Sequence, residues 1–541
     1  MKVMITLLQW AAAGYVFWVI GTWFRALWRM QYQDQDAVLW GMAWVSLISM
    51  AALFWLPAFP WLSMGWLAMA LLMHALHKNE IHTAFRQLWQ RANGSRERWF
   101  WAVLALALAW WVNQPVVLPD EYLYFHQTLQ WLQSEGWVHG LSNLSLPLGL
   151  GSSWHVLEAV SAPSLPWGLG SAHLNGLMYL LFLLDGWIRW GRSEAPPFFL
   201  ALLWLLAATV AVPFINSTSP DLAVILLTAW SIRMLHQRSA QVALFACWVF
   251  TIKWSAILIL LLPVFAWRQI DWPRSSKPLA WAVFVGSITL ALVLGRNYWQ
   301  TGHPFFPYAL GNAEGPTWST PPELLSFYAA GLNSYGVSDS LREQVILETA
   351  RQPFAHQVLQ LLGRGGWKGL FNWLVLLVTV ASLVSALVRY RRNRNDWLLM
   401  LLVAGVCNVL IWLWLAPQPR FMLPWLAVAG AYLVYTVWPE GWTLQWLRRT
   451  ALAGALLSAL TLGYLGQHGV FHRHWNSVNV CTNRVEAGWT LQLTDSYCGD
   501  CPIPCLSATQ QRMLEAHGFR LAPLGVHGQA GFRLLPFQVI P

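Results

Sequence analysis

Leu118-Pro119-Asp120-Glu121-Tyr122 opens a polar, loop-rich insert that runs to Val160 between two long apolar stretches. Two adjacent carboxylates directly after an apolar run of membrane-spanning length are costly there unless they face water or a ligand, so the pair is a functional-site hypothesis by default. There is also a local account. Asp120 follows a proline and precedes a helical pattern from Tyr122 to Gln133, where an N-cap belongs, and Glu121 in a first turn suits the helix dipole. The acidic doublet favours the functional reading, with Asp120 and Glu121 as candidate catalytic residues.

The flanking stretches decide the class. Of 541 residues, 57% are hydrophobic and 10% charged, with a mean hydropathy of +0.44, too little polar surface to cover a soluble globule. The expected fold is an all-α polytopic membrane protein. At about 20 residues per crossing, apolar runs fall at 4–28, 37–57, 61–77, 99–113, 171–190, 197–214, 221–237, 239–253, 254–267, 279–297, 366–389, 397–416, 421–438 and 450–468. The pair 239–253 and 254–267, divided by Lys253, reads as a tight hairpin, a broken helix or one tilted helix, with the charge count favouring the hairpin, so the expectation is 13 to 14 transmembrane helices. Forty tryptophans, many at run ends such as Trp99, Trp110 and Trp187, suit headgroup anchoring and carry no catalytic weight here.

Charge gives the topology. If the runs alternate, 20 of the 33 Lys and Arg fall in the short connections of one face, among them Arg25, Arg86, Arg233, Arg391 and Arg448. Short basic loops stay cytoplasmic. The long loops 114–170 and 298–365, the tail after 468 and both termini are therefore expected outside, and the net charge of +10 is placed without invoking nucleic acid. The first apolar run continues unbroken to Trp28, longer than a signal core, and reads as a retained helix. Five sections follow: N-terminal helices with a basic loop (1–98), a core with the first outer loop (99–297), a second outer loop whose residues Ser338 to Gln360 read as one surface helix (298–365), C-terminal helices (366–468) and a small outer tail domain (469–541).

In that tail, Cys481, Cys498, Cys501 and Cys505 read either as a zinc knuckle or as a disulfide framework. An outside location favours disulfides, with all three pairings open. Cys247 and Cys407, inside apolar runs, read as core residues.

Isolated polar residues at run ends all fall on the outer face: Asp120 and Glu121, the turn Asn216-Ser217-Thr218-Ser219-Pro220-Asp221, Lys253, Arg296-Asn297 and Arg420. Carboxylates and cations converging at one membrane surface suit binding of a phosphate or pyrophosphate with acid or base chemistry beside it. Each has a plainer account. Asp221 after Pro220 suits a helix start, Lys253 and Arg296 suit snorkelling anchors, and His126 suits a packed core histidine. Arg420, between prolines and a new apolar run where positive charge is sparse, has the least ready alternative.

Asp120-Glu121-Tyr122-Leu123-Tyr124-Phe125-His126, Gly140-Leu141-Ser142-Asn143-Leu144 and Ser152-Ser153-Trp154 resemble the first outer loop of the GT-C superfamily of membrane glycosyltransferases. The likeness is nearest to a poorly characterised bacterial branch. Ser219-Pro220-Asp221, Thr251-Ile252-Lys253-Trp254-Ser255, Arg296-Asn297 with Thr301-Gly302 and Tyr308, Ala416-Pro417 to Phe421 and Pro502-Ile503-Pro504-Cys505 are similar in the same order. Departures exist: Ser145 stands where that branch has His, followed by Leu146-Pro147 where it has a basic residue.

The resemblance implies a sugar donor linked through phosphate to a long isoprenoid in the bilayer of a bacterial inner membrane. Asp120 takes the acceptor proton on the periplasmic side and polyprenyl phosphate leaves with inversion. Lys253, Arg296 and Arg420 would contact donor phosphate, and Tyr124, His126, Asn143, Trp154, Asp221, Asn297 and Tyr308 would contact substrate. Some relatives bind a divalent metal; with so few acidic groups none is assigned here, nor any other cofactor. The acceptor is a glycan, a lipid or a protein. Competing expectations are an O-antigen ligase or polymerase, a transporter of lipid-linked glycans, and an assembly subunit indifferent to Asp120.

Overall fold

The first apolar run becomes α1 (Lys2–Trp28) and closes on α2 (Ala37–Ala52) with the backbones in direct contact. A Cβ on Gly21 would lie 1.8 Å from the Ala37 carbonyl oxygen, and one on Gly41 1.7 Å from that of Phe17, so only glycine permits the crossing. The structure, a computed structural model, describes residues 1–28, 36–91, 95–116, 118, 120–162, 173–190, 198–236, 242–269, 276–309, 315–337, 343–394, 396–437, 482–486, 489–494, 503–523 and 531–536.

The chain is mostly helical. After α2 come α3 (Ser63–Leu76), α4 (Lys78–Arg91) and α5 (Ser95–Trp111). The polar insert folds as short pieces, α6 (His126–Ser134), α7 (Leu141–Leu144) and α8 (Ser153–Ser161), packed over the ends of the long helices. Next are α9 (Leu174–Trp190), α10 (Phe198–Ala211), α11 (Pro220–His236), α12 (Val242–Ile252), α13 (Leu261–Gln269) and α14 (Ser276–Thr301). The pair around Lys253 is a hairpin. α12 ends at Ile252, Lys253 is extended, a 3₁₀ stretch Trp254–Leu260 follows, and α13 packs back on α12.

The second loop holds α15 (Pro322–Val337), α16 (Glu343–Arg351) and α17 (Phe354–Gly363). The single surface helix expected over Ser338 to Gln360 is two helices instead, parted at Pro353, which has extended ψ and no N–H to carry a helix through. α18 (Gly366–Asn393), α19 (Asp396–Leu415) and α20 (Leu423–Val437) follow. Among the described residues, three helical stretches are long and apolar enough to cross a membrane: Lys2–Leu27, Ala58–Leu76 and Lys368–Asn393. Seven further apolar helices are shorter. The run expected at 450–468 lies outside the described residues.

Arg233, expected in a short basic connection, is instead buried within α11, where it donates to Asp36 at 2.6 Å and Asp185 at 3.5 Å. Two buried carboxylates around it supply what a solvated loop would have supplied.

The tail forms β1 (Thr482–Glu486), β2 (Trp489–Thr494) and β3 (Cys505–Ser507) in one sheet and β4 (Phe519–Pro523) with β5 (Phe532–Pro536) in another. β1 and β2 are antiparallel, β2 and β3 parallel, β4 and β5 antiparallel. Cys505 is buried and disulfide-bonded, and its partner lies outside the described residues, as do Cys481, Cys498 and Cys501. The tail rests on the first insert. Phe532 is fully buried edge-on to Trp131 at 5.7 Å, its N–H donates to the His139 carbonyl at 2.9 Å, and Gln510 donates to Ser145.

Candidate functional site

Asp120 has helical backbone angles and makes no capping hydrogen bond. Its carboxylate accepts instead from Arg420 Nη1. Arg420 sits on a single 3₁₀ turn, Pro419–Met422, entered through extended Gln418, whose Oε1 accepts from Arg420 Nε at 3.0 Å. Two edges of the guanidinium are therefore fixed, which sets its plane against Asp120.

The second ion pair is built the same way from distant pieces. Ser219 is the N-cap of α11: its Oγ accepts from the Asp221 N–H at 3.3 Å and donates to Asp221 Oδ2 at 3.1 Å. Capping thus falls to Ser219, and Asp221 Oδ1 is left to accept from Lys253 Nζ. Lys253 Nζ lies 4.5 Å from the centroid of Phe421 and Arg420 Cζ 5.2 Å from the same ring, so the two pairs share one aromatic face. Arg420 also interacts with Asp221 and Tyr124. Burial by itself depresses the Arg420 pKa; the fields of Asp120 and Asp221 more than reverse that, holding the guanidinium charged. Tyr124 and Tyr328 both feel Asp120 and Arg420, and burial pushes both phenols well up, leaving neutral hydroxyls beside the pair.

Glu121 points away from its neighbour. Its carboxylate accepts from the Thr218 N–H at 2.8 Å and from Thr218 Oγ1 at 2.9 Å, anchoring the insert to the turn before α11. Burial raises its pKa to about 7, against the lowering effect of the two Thr218 bonds and with smaller additions from Glu158 and Asp120. Placed in this way, Glu121 positions the turn carrying Asp221 and does not face the Asp120–Arg420 pair.

Arg296 is separate again. It is 1% exposed, no carboxylate pairs with it among the described residues, and its Nε and Nη2 donate to Asn297 Oδ1 at 3.2 and 2.8 Å. Nη1 has no partner. Asn297 is spent on Arg296 and on the Pro304 carbonyl at 2.9 Å.

Other residues expected to contact substrate are placed elsewhere. Asn143 donates to the Trp318 and Phe532 carbonyls at 2.8 and 3.1 Å, stitching the insert to the second loop and the tail. Trp154 is fully buried and donates to Asn175 Oδ1 at 2.9 Å. His126 lies within electrostatic reach of His173, and Tyr308 stands 39% exposed. These four are not brought into contact with the ion pairs.

Some contributors carry no sequence signal. Asn175 is 1% exposed and its amide nitrogen reaches the carbonyls of Phe214 at 2.9 Å, Ser217 at 2.7 Å and Ser219 at 2.9 Å, gathering the turn that presents Asp221. Ser152 donates to the Ile252 carbonyl at 2.7 Å, strapping the insert beside Lys253. His155 is buried against Phe125 at 4.9 Å, with the Thr218 backbone beside its ring. Burial, helped by Lys253 and Arg296 and opposed by the Thr218 backbone, drops its pKa to about 3. Among the described residues no group of three or more His, Cys, Asp or Glu is arranged to hold a metal ion.

Fold and site together define a helix-rich chain of apolar segments with paired charges gathered where its polar inserts meet the helix ends. The chain belongs to a family described as a domain of unknown function (DUF8201), which matches residues 3–427. The match takes in every member of the charged cluster and stops short of the β-strands of the tail. No curated protein and no solved structure matches the chain.

Proposed function

We propose that the chain is a multi-pass inner-membrane glycosyltransferase of GT-C type that moves a sugar, with inversion, from a polyprenyl-phosphate donor to an acceptor hydroxyl at the periplasmic face. The observation that carries the reading is the Asp120–Arg420 pair: the carboxylate that a cap would have used is instead aimed by a planar guanidinium, beside a second pair of Asp221 and Lys253. In this reaction the acceptor oxygen attacks the anomeric carbon, Asp120 takes its proton, and the bond to the phosphate oxygen breaks with both electrons leaving on phosphate. A phosphate leaving group needs cations and no proton, so one base suffices.

The surroundings suit a lipid substrate. Phe421, under both cations, also lines a small apolar cleft whose other walls include Val224, Ile232, Ile259, Leu262 and Val428. Large apolar side chains along α18, among them Leu370, Trp373, Leu377 and Val384, are exposed, as a lipid-facing helix requires.

Purified protein supplied with synthetic polyprenyl-phosphate sugars should release polyprenyl phosphate, and Asp120→Asn should still bind lipid while losing turnover. Release unaffected by the substitution would overturn the assignment. The buried Asp36–Arg233–Asp185 group favours a second reading, a transporter of lipid-linked glycans, because charges within a bundle often serve transport. Under that reading no donor is ever cleaved.

A further inference from the structure

The three candidate phosphate-binding cations are not equivalent. Arg420 and Lys253 are each already neutralised by a carboxylate, whereas Arg296 is buried with no carboxylate partner among the described residues and an unbonded Nη1. A second polar atom without a partner lies on its side of the site. Gln300 is 1% exposed with Oε1 unbonded. Arg296 and Gln300 converge at Gly151: a Cβ there would lie 2.8 Å from Arg296 Cδ, 2.9 Å from Arg296 Nε and 2.9 Å from Gln300 Oε1. Buried polar atoms are almost always satisfied, and a cluster of unsatisfied ones calls for a ligand or ordered water.

Stereochemistry says which ligand group belongs there. In a displacement with inversion the base and the leaving group lie on opposite sides of the reacting carbon. A cation bonded to the base is on the base's side. We infer that Arg296, with Gln300 beside it, forms the subsite that receives the departing phosphomonoester, while Arg420 serves the base. This rests on the transferase reading and divides its residues into two poles. Arg296 supplies the charge and Nη1 the free donor. The Gln300 carbonyl accepts from a hydroxyl, which also suits the sugar hydroxyls nearest the phosphate.

The test is equilibrium binding of farnesyl phosphate, a short-chain phosphomonoester, to the full chain in detergent, followed by ³¹P NMR. Arg296→Gln should weaken binding about ten-fold or more and Arg420→Gln by less than about three-fold, as loss of an unshared charge-assisted contact differs from loss of a shared one. Gly151→Ala pushes a methyl into Arg296 and Gln300 without touching Asp120 or Arg420, and should weaken binding as well. It carries the test if Arg296→Gln does not fold. Binding that follows Arg420 and ignores both Arg296 and Gly151 overturns the subsite even where sugar transfer is intact. Binding that follows Arg296 upholds the subsite even where no sugar is transferred, and that result would overturn only the transferase reading.

Discussion

Asp120 and Arg420, 300 residues apart in the chain, meet in an ion pair where the first polar insert touches the turn between α19 and α20. The pair is only partly buried, with side-chain exposures of 14% and 27%, so it stays accessible to a ligand. Its cost in stability if broken is correspondingly below that of a fully buried pair. Its consequence for chemistry is larger. Loss of a general base typically lowers turnover about 10²–10⁴-fold, and Asp120→Asn should do so with lipid binding kept, measured by release of polyprenyl phosphate. Arg420→Lys keeps the charge but not the planar fork, and should lie between Asp120→Asn and the native protein.

Glu121 gives a pH dependence with a definite sign. Its pKa rises from 4.5 to about 7 on folding, so between those values the folded state holds a proton that the unfolded state has lost. The group's stabilising contribution is therefore complete below about pH 4.5, declines as pH rises through the window, and is gone above about pH 7. Over the whole window this amounts to about 3 kcal/mol. Thermal unfolding midpoints measured from pH 5 to pH 8 should fall less steeply in Glu121→Gln than in the native chain. An equal slope in both would show that Glu121 is not the group responsible.

Asp221 and Lys253 separate charge from pairing. Lys253→Met leaves the Asp221 carboxylate, 6% exposed, without its partner, and breaking a buried pair on one side costs about 3–5 kcal/mol. Adding Asp221→Asn removes the stranded charge and should restore most of that loss, so the two effects are non-additive in a double-mutant cycle. Activity should not return with stability in the double variant, since Lys253, one of the two cations beside Phe421, is still missing. The cycle is read from thermal unfolding and turnover on the same four proteins.

How much of this was readable from the chain depends on range. Helix positions were legible because an apolar run declares itself locally: α1, α9 and α18 lie where their runs do. So was the hairpin at Lys253, which the distribution of basic residues between the two faces favours. Arg233 was misplaced because its partners Asp36 and Asp185 lie 197 and 48 positions away, and a buried arginine looks like a loop arginine until they are found. The same holds for Asp221, whose capping role passed to Ser219 two residues earlier. Asn175 and His155 had no local mark at all. Asn175 works through backbone carbonyls, which every residue carries.

The tail offers a prediction about loop order at a distance from the charges. Phe532 is fully buried against Trp131 in a small cluster with Val138, Leu141 and Leu144, and its backbone bonds to His139 on one side and Asn143 on the other. Gly531 holds φ +119°, and a Cβ on it would lie 2.1 Å from the His139 carbonyl oxygen, so the approach leaves no room for a larger residue. Phe532→Ala opens a cavity worth about 3–5 kcal/mol, and Gly531→Val forces the strand off the insert. Both should raise amide hydrogen exchange across residues 131–148 in the full chain while exchange in α18 stays unchanged. Because Asp120 leads into α6 and α6 carries Trp131, turnover should fall with the loosening of that segment. If exchange in 131–148 rises and turnover holds, the tail braces the insert without setting the position of the base.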